Sequence, residues 1–260
     1  MSGKLIGVLG IPGTGKSHFA RSCAEVGPTS ALLLDPGERE FYERLLAPDR
    51  VAVLWDEGWR PFFGEYQATA YTNVMKWLGA QADGDATFIV IDPASEITHL
   101  AMHEILKLHK TDDPSALEHG RAYTQHNNYA HQFLQELRRL RARGKTVVAP
   151  FHVAMREAEG VGQPVAVQGR QKDATGKLVT ELRFEERLMP VLLSNFRQHV
   201  AGYFDAWLTT VTEGAGVGLR RFVSPYMSGA SLAKTRLAFR EPAKVARIPN
   251  TMKAFLEVLA

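Results

Sequence analysis

Gly10-Ile11-Pro12-Gly13-Thr14-Gly15-Lys16-Ser17 follows the apolar run Leu5 to Leu9 and opens a helix-like stretch from Lys16 to about Ala24. The octet fits G-x-x-x-x-G-K-[ST], a loop whose glycines let backbone N–H groups turn inward onto phosphates. In such a loop Lys16 reaches the β and γ phosphates and the Ser17 hydroxyl ligates Mg²⁺. The positive end of the following helix dipole adds to the anion site. Gly10, Pro12, Gly13, Thr14, Gly15, Lys16, Ser17 and His18 are therefore expected to hold the nucleotide, with ATP and Mg²⁺ as cofactors.

A phosphate loop of this type needs a second acid for the metal, at the end of a neighbouring apolar strand. Phe88-Ile89-Val90-Ile91-Asp92 fits, with a helix start after it, and Asp92 is the preferred second metal ligand. Asp35 and Asp56 also end apolar strands and compete for the role, and Asp92 could in addition cap the next helix. Pro93 follows Asp92, so the group that activates water is not the next residue. Glu38 is the first candidate for that base, with Glu57 and Glu96 as alternatives.

Working outward, apolar runs of strand length alternate with helix-like segments, which predicts a parallel sheet with helices on both faces. Strands are expected at Ala31 to Leu34, Val51 to Trp55, Thr87 to Ile91 and Thr146 to Phe151. Helices are expected over Tyr66 to Leu78 and from Pro93 to about Lys107, with a polar, His-rich loop after the second. Ala130, Phe133, Leu134, Leu137 and Leu140 then share one face of a helix that Gly144 stops. Residues 155–190 read as an extended loop or hairpin insertion, and Ala206 to Val211 and Leu219 to Val223 as late strands, antiparallel to each other. The fold class is α/β, a mostly parallel central sheet flanked by helices with late antiparallel strands, and residues 1–260 read as a single domain.

Composition sets the frame. The chain has 260 residues, 45% hydrophobic and 23% charged, with a formal charge of +3. These are the proportions of an ordinary soluble globular protein, and the charge permits a nucleic-acid partner without requiring one. One cysteine, Cys23, excludes an internal disulfide. No apolar stretch is long enough to cross a bilayer, and the N-terminus enters strand and phosphate loop directly, so neither a membrane partner nor a signal peptide is expected. The expected location is cytoplasmic, the host cytoplasm if the chain is phage-encoded.

Taken in order, these motifs resemble the RecA-like ATPases, in particular the short phage-encoded kind that are little more than an ATPase core. The resemblance is carried by the loop at 10–17, Leu32-Leu33-Leu34-Asp35-Pro36-Gly37-Glu38, Ile89-Val90-Ile91-Asp92, Val147-Val148-Ala149-Pro150-Phe151-His152 and Ala233-Lys234-Thr235-Arg236. It implies that Glu38 activates water, His152 senses the γ-phosphate, and Lys234 with Arg236 reach the ATP of a neighbouring subunit. A homo-oligomer, ring or short filament, is implied with them, as is single-stranded DNA as substrate in recombination or replication. A phage single-strand-binding or annealing protein is a further implied partner. The 155–190 insertion occupies the place of a DNA-binding loop and carries Arg156, Arg170, Lys172, Lys177, Arg183 and Arg187. Glu157, Glu159, Asp173, Glu181, Glu185 and Glu186 balance those cations, and Phe184 is its only aromatic residue. The chain departs from the larger recombinases in having no N-terminal arm before the loop.

Other signals read as structural. His99 and His103 are four apart on one helix but lack a third ligand for zinc, and Arg138, Arg139, Arg141 and Arg143 suit a helix C-terminus. Trp55, Trp59, Trp77 and Trp207 suit core or subunit contacts. Two rival functions stay open: a P-loop kinase of a small metabolite, with 155–190 as its lid, and a nucleotide-gated binding or loading protein with little turnover.

Overall fold

The phosphate loop grows out of the centre of the sheet. β1 (Leu5–Gly10) is buried along its whole length, flanked by β5 (Thr146–Glu157) on one side and β9 (Ala206–Glu213) on the other, both parallel to it. The computed structural model describes residues 2–53, 70–117, 120–157, 165–172, 178–183, 186–190, 192, 200–214, 218–225, 234–240 and 245–260. The remaining sheet members are β2 (Thr29–Leu33), β3 (Val51–Val53), β4 (Phe88–Asp92), β8 (Glu186–Pro190), β10 (Arg220–Ser224), β11 (Lys234–Thr235) and β12 (Ile248–Pro249). Strand order across the sheet is β12-β10-β9-β1-β5-β4-β2-β3, with β11 also on β9 and β8 also on β5. Pairs among β1 to β5 and β9 are parallel; β8, β10, β11 and β12 join antiparallel.

Period-2 alternation sorts the strands' side chains onto two cores. Leu5 and Leu9, Leu32, Ile89 and Ile91, and Val147 face one side, beneath α3 (Ala70–Gln81), α4 (Glu96–Leu108) and α5 (Arg121–Ala142). Ile6 and Val8, Ala31 and Leu33, Val90 and Val148 face the other. There they meet Phe19 of α1 (Lys16–Arg21), Tyr42 of α2 (Arg39–Glu43) and Phe255 of the C-terminal helix Met252–Glu257. Sheet strands buried on both faces read as uninterrupted apolar runs, as these do. Gly7 is required by close approach: a methyl placed on it would lie 2.1 Å from the ring of Trp207, its partner on β9.

The expected face of α5, Ala130, Phe133, Leu134, Leu137 and Leu140, is the buried one. The helix starts earlier than its apolar stripe suggests, however. Arg121 to Tyr129, expected as the end of a His-rich loop, is helical, because buried Ala122 and His126 continue the stripe with residues that are not strongly apolar. The His126 Nε2 meets the Thr98 carbonyl at 3.1 Å. The first helix is shorter than expected, ending at Arg21 and passing into a 3-10 turn, Ser22–Glu25. The end of the strand expected to Trp55, the start of the helix expected from Tyr66, and Trp59 lie outside the described residues.

The described residues of the 155–190 segment lie in strands. β5 runs on past His152 to Glu157 and pairs with β8 returning antiparallel, Val153 opposite Pro190 and Glu157 opposite Glu186. Between them β6 (Val165–Lys172) and β7 (Leu178–Arg183) form a separate antiparallel hairpin. The side chains of its basic residues lie outside the described ones.

Candidate nucleotide site

At the carboxyl ends of β1, β4 and β5 a cleft of about 520 Å³ opens between the phosphate loop, the turn after β2 and β10. Clefts at this edge of an open α/β sheet are where ligands bind. Gly13 (φ 80°) and Gly15 (φ 96°) hold the left-handed conformation the loop needs, which side chains disfavour. Gly10 is fixed by space: a methyl there would lie 1.9 Å from Thr210 Oγ1 and 2.4 Å from Thr14 Oγ1. Those two hydroxyls are 2.6 Å apart, with the Ile11 carbonyl 2.8 Å from Thr14 Oγ1 and the Leu9 carbonyl 3.0 Å from Thr210 Oγ1, so their two hydrogens are shared among three contacts. Thr14 thus braces the loop against β9. Pro12 and His18 line the cleft.

Lys16 is 6% exposed, and its ammonium donates to the Ile11 carbonyl at 3.1 Å. Burial pulls its pKa down, while Asp92 and Glu38 push it back up. The loop therefore holds a desolvated cation beside two acids. Ser17 sits beside those acids, and its hydroxyl favours the charged form of both Glu38 and Asp92. Asp92 is 2% exposed, and burial raises its pKa to about 6 against the hydrogen bonds it accepts. Burial likewise raises Glu38, with Asp35 adding to the effect. One hydroxyl and two carboxylates, all hard oxygen donors, suit a small divalent cation that keeps some of its waters. The expected neighbour relation differs in one respect. β5 lies between β1 and β4, so Asp92 reaches the loop across an intervening strand end.

That intervening end is His152, in register with Gly10. Its backbone N–H donates to Ser95 Oγ at 3.4 Å, and its ring is half-buried. Burial and then Lys16 lower its pKa, and Glu96 and Asp35 oppose them, so it is a neutral donor near pH 7. Pro150 lacks an N–H in this central strand, yet costs little there. β4 has already turned away into Pro93, and the Pro150 carbonyl accepts from Ala94 N at 2.7 Å.

The competing acids part company. Asp35 Oδ1 accepts from Gly37 N at 2.9 Å and shapes the turn that presents Glu38. Glu96 opens α4 on the His152 side. Asp56 and Glu57 lie outside the described residues. Lys234 and Arg236 are not brought to the chain's own cleft. β11 pairs Lys234 with Trp207 and Thr235 with Ala206, level with Gly7 and Ile6. At about 3.3 Å per residue that is roughly 10 Å or more below the loop. Arg236 is exposed there and donates to the Gly202 carbonyl at 2.7 Å. The side chain of Lys234 lies outside the described ones.

Three contributors carried no motif. Tyr42 is fully buried on α2 and donates to Asp92 Oδ2 at 2.7 Å, fixing that carboxyl's orientation. Asn250 Nδ2 donates to the Gly15 carbonyl at 2.9 Å, and Arg221 lines the cleft beside it. A tyrosine four residues after Glu38 gives a helical-spacing hint, but nothing local marks residues so far from the loop.

A family model described as "AAA domain" matches residues 2–183, more than two thirds of the chain. Among curated proteins there is no match. Among solved structures, a KaiC-like protein of the hyperthermophilic archaeon Pyrococcus horikoshii OT3 is similar over 86% of this chain and 79% of its own. The two share 15% identity with a TM-score of 0.40, a likeness too distant to speak to chemistry. The family match covers the phosphate loop, Glu38, Asp92 and His152, and the chain belongs to the AAA-domain family of P-loop ATPases.

Proposed function

We propose that this protein hydrolyses ATP with Mg²⁺ and acts on single-stranded DNA, as an oligomer, in phage-type recombination or replication. The observation that carries the hydrolytic part is the convergence of Lys16, Ser17, Glu38, Asp92 and His152 on one cleft. Lys16 binds the β and γ phosphates and Ser17 with Asp92 holds Mg²⁺, which when bound offsets the charge of the triphosphate. Glu38 accepts the proton of the attacking water; its raised pKa makes it a better base than an exposed glutamate. His152, neutral and at the sheet edge, donates to the γ-phosphate.

The DNA part is supported by where the insertion begins. β5 carries His152 in the cleft and continues directly into the β5–β8 arm, so one strand links the γ-phosphate position to the 155–190 segment. Oligomerisation is supported by the place of β11, which carries Lys234 and leads into Arg236 remote from the chain's own loop, so that a neighbour's ATP would meet the pair only across an interface. Among the described residues no helix is long and apolar enough to cross a membrane.

The test is phosphate release from ATP and Mg²⁺ with and without single-stranded DNA, with Lys16→Ala as the blank. Turnover that DNA raises and Lys16→Ala abolishes is expected. Turnover indifferent to DNA removes the DNA reading; ATP consumption that requires an added small-molecule acceptor favours the kinase; binding without release favours the nucleotide-gated loader.

A further inference from the structure

We infer that Arg221 forms a second cationic wall of the cleft and pairs with the inner phosphates, α and β, of the nucleotide; this rests on the nucleotide reading of the cleft. Arg221 sits on β10 opposite Thr212 of β9, and its own carbonyl accepts from Asn250 N at 3.2 Å. Its backbone is thus held from both sides. Its side chain lies across the loop: a methyl placed on Gly15 would be 2.7 Å from Arg221 Cδ and 2.6 Å from Asn250 Nδ2. Gly15 is needed for this approach as well as for its φ.

The chemistry of the wall points to an anion. Arg221 is exposed and makes no ion pair among the described residues. The nearby acid Glu213 on β9 is taken by Arg247 at 2.9 Å. Behind Arg221, Asn250 is 4% exposed and its Nδ2 holds the Gly15 carbonyl at 2.9 Å, which fixes the wall against the loop. A guanidinium presents paired N–H groups that match phosphate oxygens, and over a loop built for phosphates it has a partner only when the site is filled.

Position along the nucleotide follows from strand order and from where Arg221 crosses the loop. β10 lies beyond β9 on one side of β1, whereas His152 stands on β5 and Asp92 ends β4 on the other. Arg221 crosses the loop at Gly15, part of the backbone that cradles the α and β phosphates. Asp92 and His152 mark the γ end, and Arg221 stands on the opposite side of β1 from them. Its contact is therefore common to ATP and ADP.

The experiment is calorimetric titration of ATP and of ADP, each with Mg²⁺, into the wild type, Arg221→Gln, Arg221→Ala and Lys16→Ala, with steady-state turnover alongside. Arg221→Gln keeps most of the aliphatic contact over Gly15 while removing the charge. Both Arg221 variants are expected to weaken ATP and ADP alike, by about 10- to 100-fold in Kd, the loss typical of a hydrogen bond to a charged group. The loss is read in the two affinities, which fall together because the phosphates Arg221 meets are common to ATP and ADP. Unchanged affinities in Arg221→Gln overturn the inference, and so does a loss confined to ATP with a fall in kcat. If the wild type binds neither nucleotide, the reading of the cleft itself fails; if Lys16→Ala loses binding while the Arg221 variants keep it, only the arginine wall does.

Discussion

Asp92 concentrates the conflict between stability and function. In the free protein it is buried beside Glu38 with a pKa near 6, against about 3.8 for the unfolded chain. The sign follows from proton binding. Between those values the folded state holds the proton that the unfolded state has lost, so stability falls as pH rises through this window and the cost is complete above it. Two pK units amount to about 3 kcal/mol, an order-of-magnitude figure. Asp92→Asn, which keeps an acceptor for Tyr42, is therefore expected to stabilise the nucleotide-free, metal-free protein by about 1–3 kcal/mol at pH 7.5. The gain should shrink toward zero near pH 4. Urea unfolding in EDTA at the two pH values measures it, and an equal gain at both would show that the carboxyl's charge is not the cause. The same variant should lose Mg²⁺-dependent turnover.

Elements are tied together by a few polar contacts where the apolar pattern runs out. Asp205, at the start of β9, accepts from the Leu5 N–H at 2.9 Å and pairs with Arg141 of α5 at 3.1 Å. It joins the first residue of β1 to the last turn of α5, and it is itself buried. Asp205→Ala strands a buried N–H and removes one partner of an ion pair, so a loss of about 2–4 kcal/mol is expected in chemical denaturation. A loss below about 0.5 kcal/mol, the scale of an exposed pair, would show the contact to be superficial. The neighbouring arginines answer the question their sequence raises. Arg139 pairs with Glu136, Arg143 with Asp83, and Arg138 lies 4.5 Å over the Tyr203 ring. The run reads as a basic patch only until its partners, two of them distant in sequence, are in place.

At the scale of the molecule the candidate groups stand at two levels of the sheet. The cleft lies at the carboxyl end of β1, and Lys234 and Arg236 lie toward the opposite end on β11. Self-assembly that brings one chain's β11 to another chain's cleft would make each site a product of two subunits. Lys234→Ala with Arg236→Ala is then expected to cut turnover by about 10³-fold or more, as loss of such fingers does in related enzymes, and to make oligomer size insensitive to ATP. Light scattering and phosphate release, each with and without ATP, check this. Unchanged turnover and size would leave the pair as a solvated basic edge.

Much of this was legible because it is local. An octet of fixed spacing, apolar runs ending on Asp35, Asp92 and His152, and the stripe of α5 each depend on residues close in sequence, where backbone geometry alone links position to direction. The sequence by itself thus determined the phosphate loop, the α/β class and the edge of the sheet where its acids gather. Only the tertiary structure decided that β5 separates β1 from β4, that Ser17 falls beside Glu38 and Asp92, and that Tyr42, Arg221 and Asn250 belong to the same cleft. Those juxtapositions come from strand order and from the antiparallel return of β10 and β12. Long-range pairing of that kind is fixed by packing a whole core, and no short window of residues encodes it.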